Sequence, residues 1–267
     1  MIDTWNQDPS KESLEEVDYR KILDFMRVAG ERLLTKTGNV VDIGVTKINL
    51  TEEDLAIERG FRDIIQGFKG DHALYAEEEH DSFHNAENVW VVDPISGTKN
   101  FIDGSGHYAI VISHLINGKT VFAAVFDPSA NEFFTAKRGK GAFLNGTRIG
   151  TSEETSSVIF RPSSKWNDPN AVLKIQSALE GYQVESNAHS MAVDYCWIAA
   201  GRFDGMVSLT KDSFPEFAGG FIVQEAGGRF TNLKGESDIQ PTDRVFVCGN
   251  QKMYDELLPK VRNLLQQ

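Results

Sequence analysis

Residues 89–101 read VWVVDPISGTKNF. Val89-Trp90-Val91-Val92 is a short apolar run, the pattern of a buried strand. It meets Asp93-Pro94 and then Ser96-Gly97-Thr98, all turn-forming residues, so the strand is expected to end at Asp93. A carboxylate at the end of a buried strand is costly unless something pairs with it, which makes Asp93 a candidate cation ligand. Pro94 lacks an N–H and fixes φ, leaving the Ile95 carbonyl free to face the same cation. Gly97 lets backbone N–H groups approach an anion, and Thr98 adds a hydroxyl. A cation on one side and an oxyanion on the other is the layout of a phosphate-ester site.

Just upstream, a strand-like His72–Tyr75 runs through Ala76 into Glu77-Glu78-Glu79. Three adjacent acids usually mean a solvated turn. Here a neighbouring strand ends in Asp93, so Glu77 and Asp93 are expected within reach of one hard cation, which prefers oxygen ligands. Further upstream, Thr51-Glu52-Glu53-Asp54 is a capping box opening a helix with Leu55, Ile57, Phe61, Ile64 and Ile65 on its apolar face. Asp54, at the third helical position, reads on its own as a helix-dipole residue. Ser13 with Glu16 forms a similar box ahead of Val17, Ile22, Phe25, Met26, Ala29 and Leu33, a helix that should stop near Gly38. Val40–Leu50 suggests an irregular strand or hairpin.

Downstream, Tyr108–Leu115, Thr120–Phe126 and Glu132–Ala136 form an antiparallel meander joined at Asn117-Gly118 and Asp127-Pro128. Lys137–Gly146 follows as an exposed hairpin. Val158–Arg161 is a strand, Asn170–Leu179 a helix, and Gln183–Val184 the start of a strand. A further helix should begin at Ser190, as an N-cap or as a contact for a substrate oxygen. Gly228–Leu233 and Val245–Cys248 are closing strands, and Tyr254–Leu265 a terminal helix.

At 267 residues and 40% hydrophobic, the chain can bury a large core, as one domain of two coupled lobes, approximately 1–150 and 151–267. No run is long enough to span a membrane and no leader is visible, so a cytoplasmic protein without membrane contact is expected. Cys196 and Cys248 make neither a disulfide framework nor a zinc site. The net charge of −12 argues against a nucleic-acid partner and suits carboxylates that hold divalent cations.

These stretches resemble the inositol monophosphatase family. Asp93-Pro94-Ile95-Ser96-Gly97-Thr98-Lys99-Asn100-Phe101 is similar to its Asp-Pro-Ile/Leu-Asp-Gly-Thr-x-Asn/Ser-Phe motif. Thr51–Glu58 resembles its Thr-x-x-Asp-x-x-x-Glu segment, and Ala76-Glu77-Glu78 its strand-end Gly-Glu-Glu. Ser190–Cys196 with Ala199–Gly205, and Glu225-Ala226-Gly227-Gly228, match its later motifs in order. The resemblance implies an α+β fold, the layered αβαβα sandwich, usually a homodimer, and Mg²⁺-dependent hydrolysis of a small phosphorylated metabolite, with Mn²⁺ as a substitute. Carried over, Glu77, Asp93 and the Ile95 carbonyl hold the first cation, and Glu77 with Thr98 orients the attacking water, with Asp54 near the metal cluster. The N–H groups of Gly97 and Thr98 hold phosphate oxygens, beside Ser96 and Ser190. Ser208 stands near the place where inositol-specific members carry an acid against the sugar ring, which weakens inositol phosphate as the substrate.

Two departures fall on one cation. Ser96 replaces the motif's second Asp, and a neutral hydroxyl is a much poorer Mg²⁺ ligand than a carboxylate. Phe214-Pro215-Glu216 stands where the family has Trp-Asp-x; without a gap Pro215 takes the place of the metal-binding Asp, and with a one-residue deletion Glu216 does, Asp212 lying one turn before. Three readings follow: a phosphatase with a remodelled second metal site, for which Glu216 is the candidate acid; a non-catalytic homologue that binds a phosphorylated ligand or serves as a scaffold; and a homologue repurposed for another reaction.

Overall fold

A computed structural model describes residues 17–45, 49–78, 86–163, 166–186 and 190–265. The expected Ser13–Glu16 cap, Ile48 and Glu79 lie outside them. Strand β2 (Asn88–Ser96) is buried along its whole length, and its side chains alternate between two cores. Val89 and Val91 join one apolar cluster, while Trp90 and Val92 join another on the opposite face. A strand covered on both faces must be apolar throughout, which is why its sequence lacks polar alternation. It pairs in parallel with β1 (His72–Ala76) and antiparallel with β3 (Ala109–Ile116). The meander continues through β4 (Lys119–Asp127), β5 (Glu132–Lys137), β6 (Gly141–Leu144) and β7 (Thr147–Ile149) to complete a seven-stranded sheet in sequence order.

The second sheet has the order β11-β12-β10-β8-β9, from β8 (Ser157–Pro162), β9 (Gln183–Glu185), β10 (Gly205–Leu209), β11 (Arg229–Asn232) and β12 (Val245–Gly249). Its strands alternate in the same way: Met206 faces the central core and Val207 the outer one. Helices α1 (Tyr19–Lys36) and α2 (Glu52–Gln66) cover the outer face of the first sheet. Helices α5 (Met191–Ala199) and α6 (Phe214–Glu225) fill the space between the sheets. Helices α4 (Pro169–Ala178) and α7 (Gln251–Leu265) close the far side. The result is the expected αβαβα stack, with three cores separating its layers.

Several expectations are corrected. The strand does not end at Asp93: it runs to Ser96, with a shift of register between Asp93 and Ser96. Pro94 cannot donate to the ladder, and an irregularity of this kind is where a sheet tolerates proline. Helix α1 is capped by Asp18, whose carboxylate accepts from the Arg20 N–H. The described part of 40–50 contains no strand; the Asp42 carboxylate gathers the N–H groups of Gly44, Asn49 and Leu50, so a side chain satisfies backbone donors that a ladder would use. A short helix, α3 (Thr98–Asp103), follows Gly97. The described residues contain no helix long and apolar enough to cross a membrane.

Candidate active site

The parallel pairing of β1 and β2 sets the end of β1 beside Val92, one residue before Asp93, within β2. The Glu77 N–H donates to the Val92 carbonyl at 3.2 Å, which places Glu77 beside the residue preceding Asp93. Asp93 is only 4% exposed, so its charge is withdrawn from water. Glu58, fully buried on α2, receives the Glu78 N–H on Oε2 and the Arg62 guanidinium on Oε1, both at 3.2 Å. Glu58, which closes the Thr51–Glu58 segment, pins the acidic end of β1 to α2.

Asp54 is also fully buried. As expected from the capping box, its carboxylate receives the Thr51 N–H at 2.8 Å, and Thr51 Oγ1 in turn accepts from the Asp54 N–H. Its other oxygen faces the Thr98 hydroxyl at 3.4 Å, and that hydroxyl also lies 2.7 Å from the Ile95 carbonyl. Burial raises the Asp54 carboxyl to about 7, against the pull of its bonds to Thr51 and with Glu78 and Glu77 pushing the same way. The capping carboxylate thus also reaches the Thr98 hydroxyl.

Gly97 joins β2 to α3 with φ +85°, a conformation that favours glycine. A Cβ there would lie 3.3 Å from Cα and Cβ of Ser190 and 3.4 Å from the His107 carbonyl. The same carbonyl accepts the Ser190 N–H at 2.9 Å, so the β2–α3 turn is packed against the start of α5. Ser190 is buried and caps α5 through a 3.5 Å bond from the Val193 N–H. His107 supplies that carbonyl from a left-handed backbone of φ +52°, with its ring nitrogen Nδ1 2.9 Å from Asp127. Nothing in the local sequence marks His107 as the connection between Gly97 and Ser190.

Ser208 and Glu216 come together at the Tyr195 hydroxyl. Ser208 is fully buried on β10, 2.7 Å from the Tyr195 hydroxyl, which also reaches Glu216 Oε1 at 3.5 Å. Glu216 lies in the first turn of α6 and lines a small cavity with Gly118, Thr120 and Arg138. Burial first, and Asp212 second, drive its carboxyl well above the usual range. Ahead of it, Phe214 stacks on Tyr75 with ring centroids 4.6 Å apart. No group of three or more His, Cys, Asp or Glu among the described residues is arranged to hold a metal ion. Glu77, Asp93 and Glu216 thus do not gather round one point. For a hard divalent cation the donor chemistry fits one ion, through two carboxylates on adjoining parallel strands, Glu77 and Asp93, and the Ile95 carbonyl. It does not fit a second, because Ser96 is neutral and Pro215 carries no oxygen on its side chain.

The sequence profile described as the inositol monophosphatase family matches residues 12–266, nearly the whole chain. The chain belongs to the inositol monophosphatase family. Within it, the Nus factor SuhB of Pseudomonas aeruginosa is 31% identical over 251 residues, covering 88% of this chain and 92% of that protein. The Nus factor SuhB of Escherichia coli K12 is 31% identical over 226 residues, covering 81% and 83%. Among solved structures, the inositol monophosphatase of Thermotoga maritima superposes with a TM-score of 0.80 at 28% identity, over 95% of this chain and 99% of that one. SaIMPase-II with bound 2′-AMP gives a TM-score of 0.75 at 25% identity, over 93% and 96%. Family membership explains why Glu77, Asp93, Gly97 and Thr98 occur in order. It leaves Ser96 and Pro215 as departures of this member.

Proposed function

We propose that this chain is a divalent-cation-dependent phosphomonoesterase acting on a small phosphorylated metabolite, with one well-formed cation position. The observation that carries this reading is the pair Glu77, just past the end of β1, and Asp93, within the adjoining parallel strand β2, with the Thr98 hydroxyl between Asp54 and the Ile95 carbonyl. Glu77, Asp93 and the Ile95 carbonyl would hold Mg²⁺ or Mn²⁺, which supplies positive charge to the phosphoryl oxygens and lowers the pKa of bound water. Thr98 positions the attacking water through its hydroxyl, and Asp54, joined to that hydroxyl, takes up the proton. Gly97 and Thr98 present backbone N–H groups to the phosphate, with Ser96 and Ser190 beside them. The water oxygen bonds to phosphorus as the ester P–O bond breaks, and the leaving alkoxide takes a proton from solvent.

The complex of SaIMPase-II with 2′-AMP makes a nucleoside monophosphate a reasonable member of the first substrate panel, beside inositol, sugar and histidinol phosphates. The test is phosphate release from that panel with Mg²⁺ or Mn²⁺. Wild-type protein should turn over at least one ester, and Glu77→Gln should lower kcat/KM by about a hundredfold or more. No release from any ester by the wild type overturns the reading.

A second reading is supported by the loss of two acids at one cation and by the name Nus factor carried by relatives, which is not the name of an enzyme. On this reading the chain acts by association and its metal site is a remnant. The charge-based expectation of no nucleic-acid partner stands in tension with that name. Retention of Mn²⁺ binding with no turnover of any ester would favour this second reading.

A further inference from the structure

A backbone carbonyl joins Gly97, Asn100 and Ser190. The His107 carbonyl accepts the Ser190 N–H at 2.9 Å and the Asn100 side-chain N–H at 3.3 Å, and it lies 3.4 Å from the position a Cβ would take on Gly97. Asn100 is itself tied to the turn, its backbone N–H donating to the Gly97 carbonyl at 2.8 Å. Both lone pairs of the His107 carbonyl are thereby used to hold the β2–α3 turn against the start of α5. The spacing between Gly97 and Ser190 therefore depends on where His107 stands.

Residues 104–108 belong to no helix or strand, and the backbone is left-handed at Gly104, Gly106 and His107, with φ +69°, +77° and +52°. That conformation is unfavourable for a residue with a Cβ, so contacts from outside the segment must hold His107 in it. Two anchors do so from one loop. The His107 N–H donates to Ser129 Oγ at 3.0 Å, and ring nitrogen Nδ1 lies 2.9 Å from Asp127 Oδ2. Asp127 is fully buried at the end of β4. Its other oxygen takes the Ser129 N–H at 2.9 Å, the Ser129 hydroxyl at 2.6 Å and the Ala130 N–H at 3.2 Å. An acceptor held by three donors keeps its orientation, which fixes the imidazole with its proton on Nδ1. The Trp197 ring on α5 meets that imidazole edge-on, with centroids 5.2 Å apart.

We propose that His107 is a positioning residue for phosphate: bonded to Asp127, it holds the carbonyl that sets Ser190 and the Gly97 turn at the spacing a phosphoryl group needs. The proposal rests on the phosphomonoesterase reading of the Gly97 turn. None of the contacts described for Glu77, Asp54 or Thr98 involves His107. Loss of its anchor is therefore felt in affinity for phosphate, while cation binding and the chemical step are spared.

Calorimetry on the full chain with Mn²⁺ present tests it, with inorganic phosphate as the probe. His107→Phe keeps a flat ring beside Trp197 and removes the Nδ1 donor; it should weaken phosphate by about tenfold and leave Mn²⁺ affinity unchanged. His107→Asn should bring phosphate back to within about threefold of wild type, because its amide N–H stands where Nδ1–H stood and asparagine accepts left-handed backbone. Partial unfolding would instead lower the number of sites and leave the affinity of the remainder unchanged. In turnover, KM should rise by the same factor while kcat moves by less than about threefold. Unchanged phosphate affinity in folded His107→Phe, or His107→Asn as impaired as His107→Phe, overturns the proposal. If His107→Phe does not fold, Ser129→Ala decides: this exposed change releases the His107 N–H and should weaken phosphate several-fold, and no change in affinity overturns the proposal. Wild type that binds phosphate without hydrolysing any ester fails the phosphomonoesterase reading alone, and the same affinities still decide the role of His107. Wild type that binds no phosphate overturns both.

Discussion

His114 should make this protein acid-sensitive by an amount that its surroundings define. It is fully buried on β3, lies flat against Trp90 with ring centroids 4.1 Å apart, and uses both ring nitrogens. Nδ1 is 2.8 Å from the Tyr19 hydroxyl and Nε2 is 3.1 Å from the Asn88 side-chain oxygen. Burial, reinforced by His72 nearby, lowers its pKa to about 3. An unfolded chain returns the ring to about 6.5, so between these values only the unfolded state takes up the proton. The contribution of neutral His114 is therefore complete above about pH 6.5 and is lost progressively as pH falls toward about 3. Going from about pH 7 to about pH 5, one such group costs about 2 kcal/mol, and that figure barely depends on the folded-state value once it is well below 5.

The comparator is His114→Phe, which keeps a flat ring against Trp90 and cannot titrate. It leaves the Tyr19 hydroxyl and the Asn88 amide short of a partner, at a cost of roughly 1–3 kcal/mol that does not vary with pH. Urea unfolding of both proteins at the two pH values gives a double difference in which the other acids and histidines cancel. Wild type should lose about 2 kcal/mol more than the variant. A double difference below about 0.5 kcal/mol, or an NMR titration midpoint for His114 above about 5 in the native protein, would refute the reasoning.

Other outcomes follow from the site. On the proposed function, Ser96→Asp should raise both Mn²⁺ affinity and phosphatase rate, and Ser96→Asp with Pro215→Asp should exceed the sum of the single changes, because the family resemblance sets both positions on one cation; a binding isotherm and a rate for each variant check this. Gly97→Ala should cost roughly 1–2 kcal/mol from its positive φ and should also lower turnover, since the added carbon presses on Ser190; urea unfolding and kcat are the measurements. Arg161→Met should cost about 3–5 kcal/mol, because Arg161 Nε lies 2.7 Å from the fully buried Asp194 and its removal takes a counter-charge away from a carboxylate withdrawn from water; thermal unfolding compared with Asp194→Asn reads it.

What could be read without coordinates was local. The burial of 89–92, the capping box of Thr51 with Asp54, the start of α5 at Ser190 and the meander are written in stretches of a few residues, where periodicity and capping chemistry act. The end of β2 was misjudged because Asp93-Pro94 reads as a turn, whereas pairing with β3 carries the strand on through an irregularity. The region 40–45 was misjudged because alternating apolar residues imitate a strand, while Val41 and Val45 are exposed and Asp42 takes the backbone donors.

The site shows the same division. Acids at strand ends were legible, since a charge after an apolar run needs a reason wherever it occurs. Their attachment was not. Glu58 reaches the Glu78 N–H across 20 residues of sequence, and Glu225 receives the N–H groups of Gly139 and Gly141 from more than 80 residues away. The His107 carbonyl meets Ser190 only because α5 lies between the sheets. The placement of Glu216 shows this most directly: its spacing in the chain permitted it to replace a lost ligand, and packing of α6 set it instead against Tyr195. Residue order determines which chemical groups are present and which short-range structures they favour. Which of them meet is decided by how layers pack, a long-range outcome that no local pattern encodes.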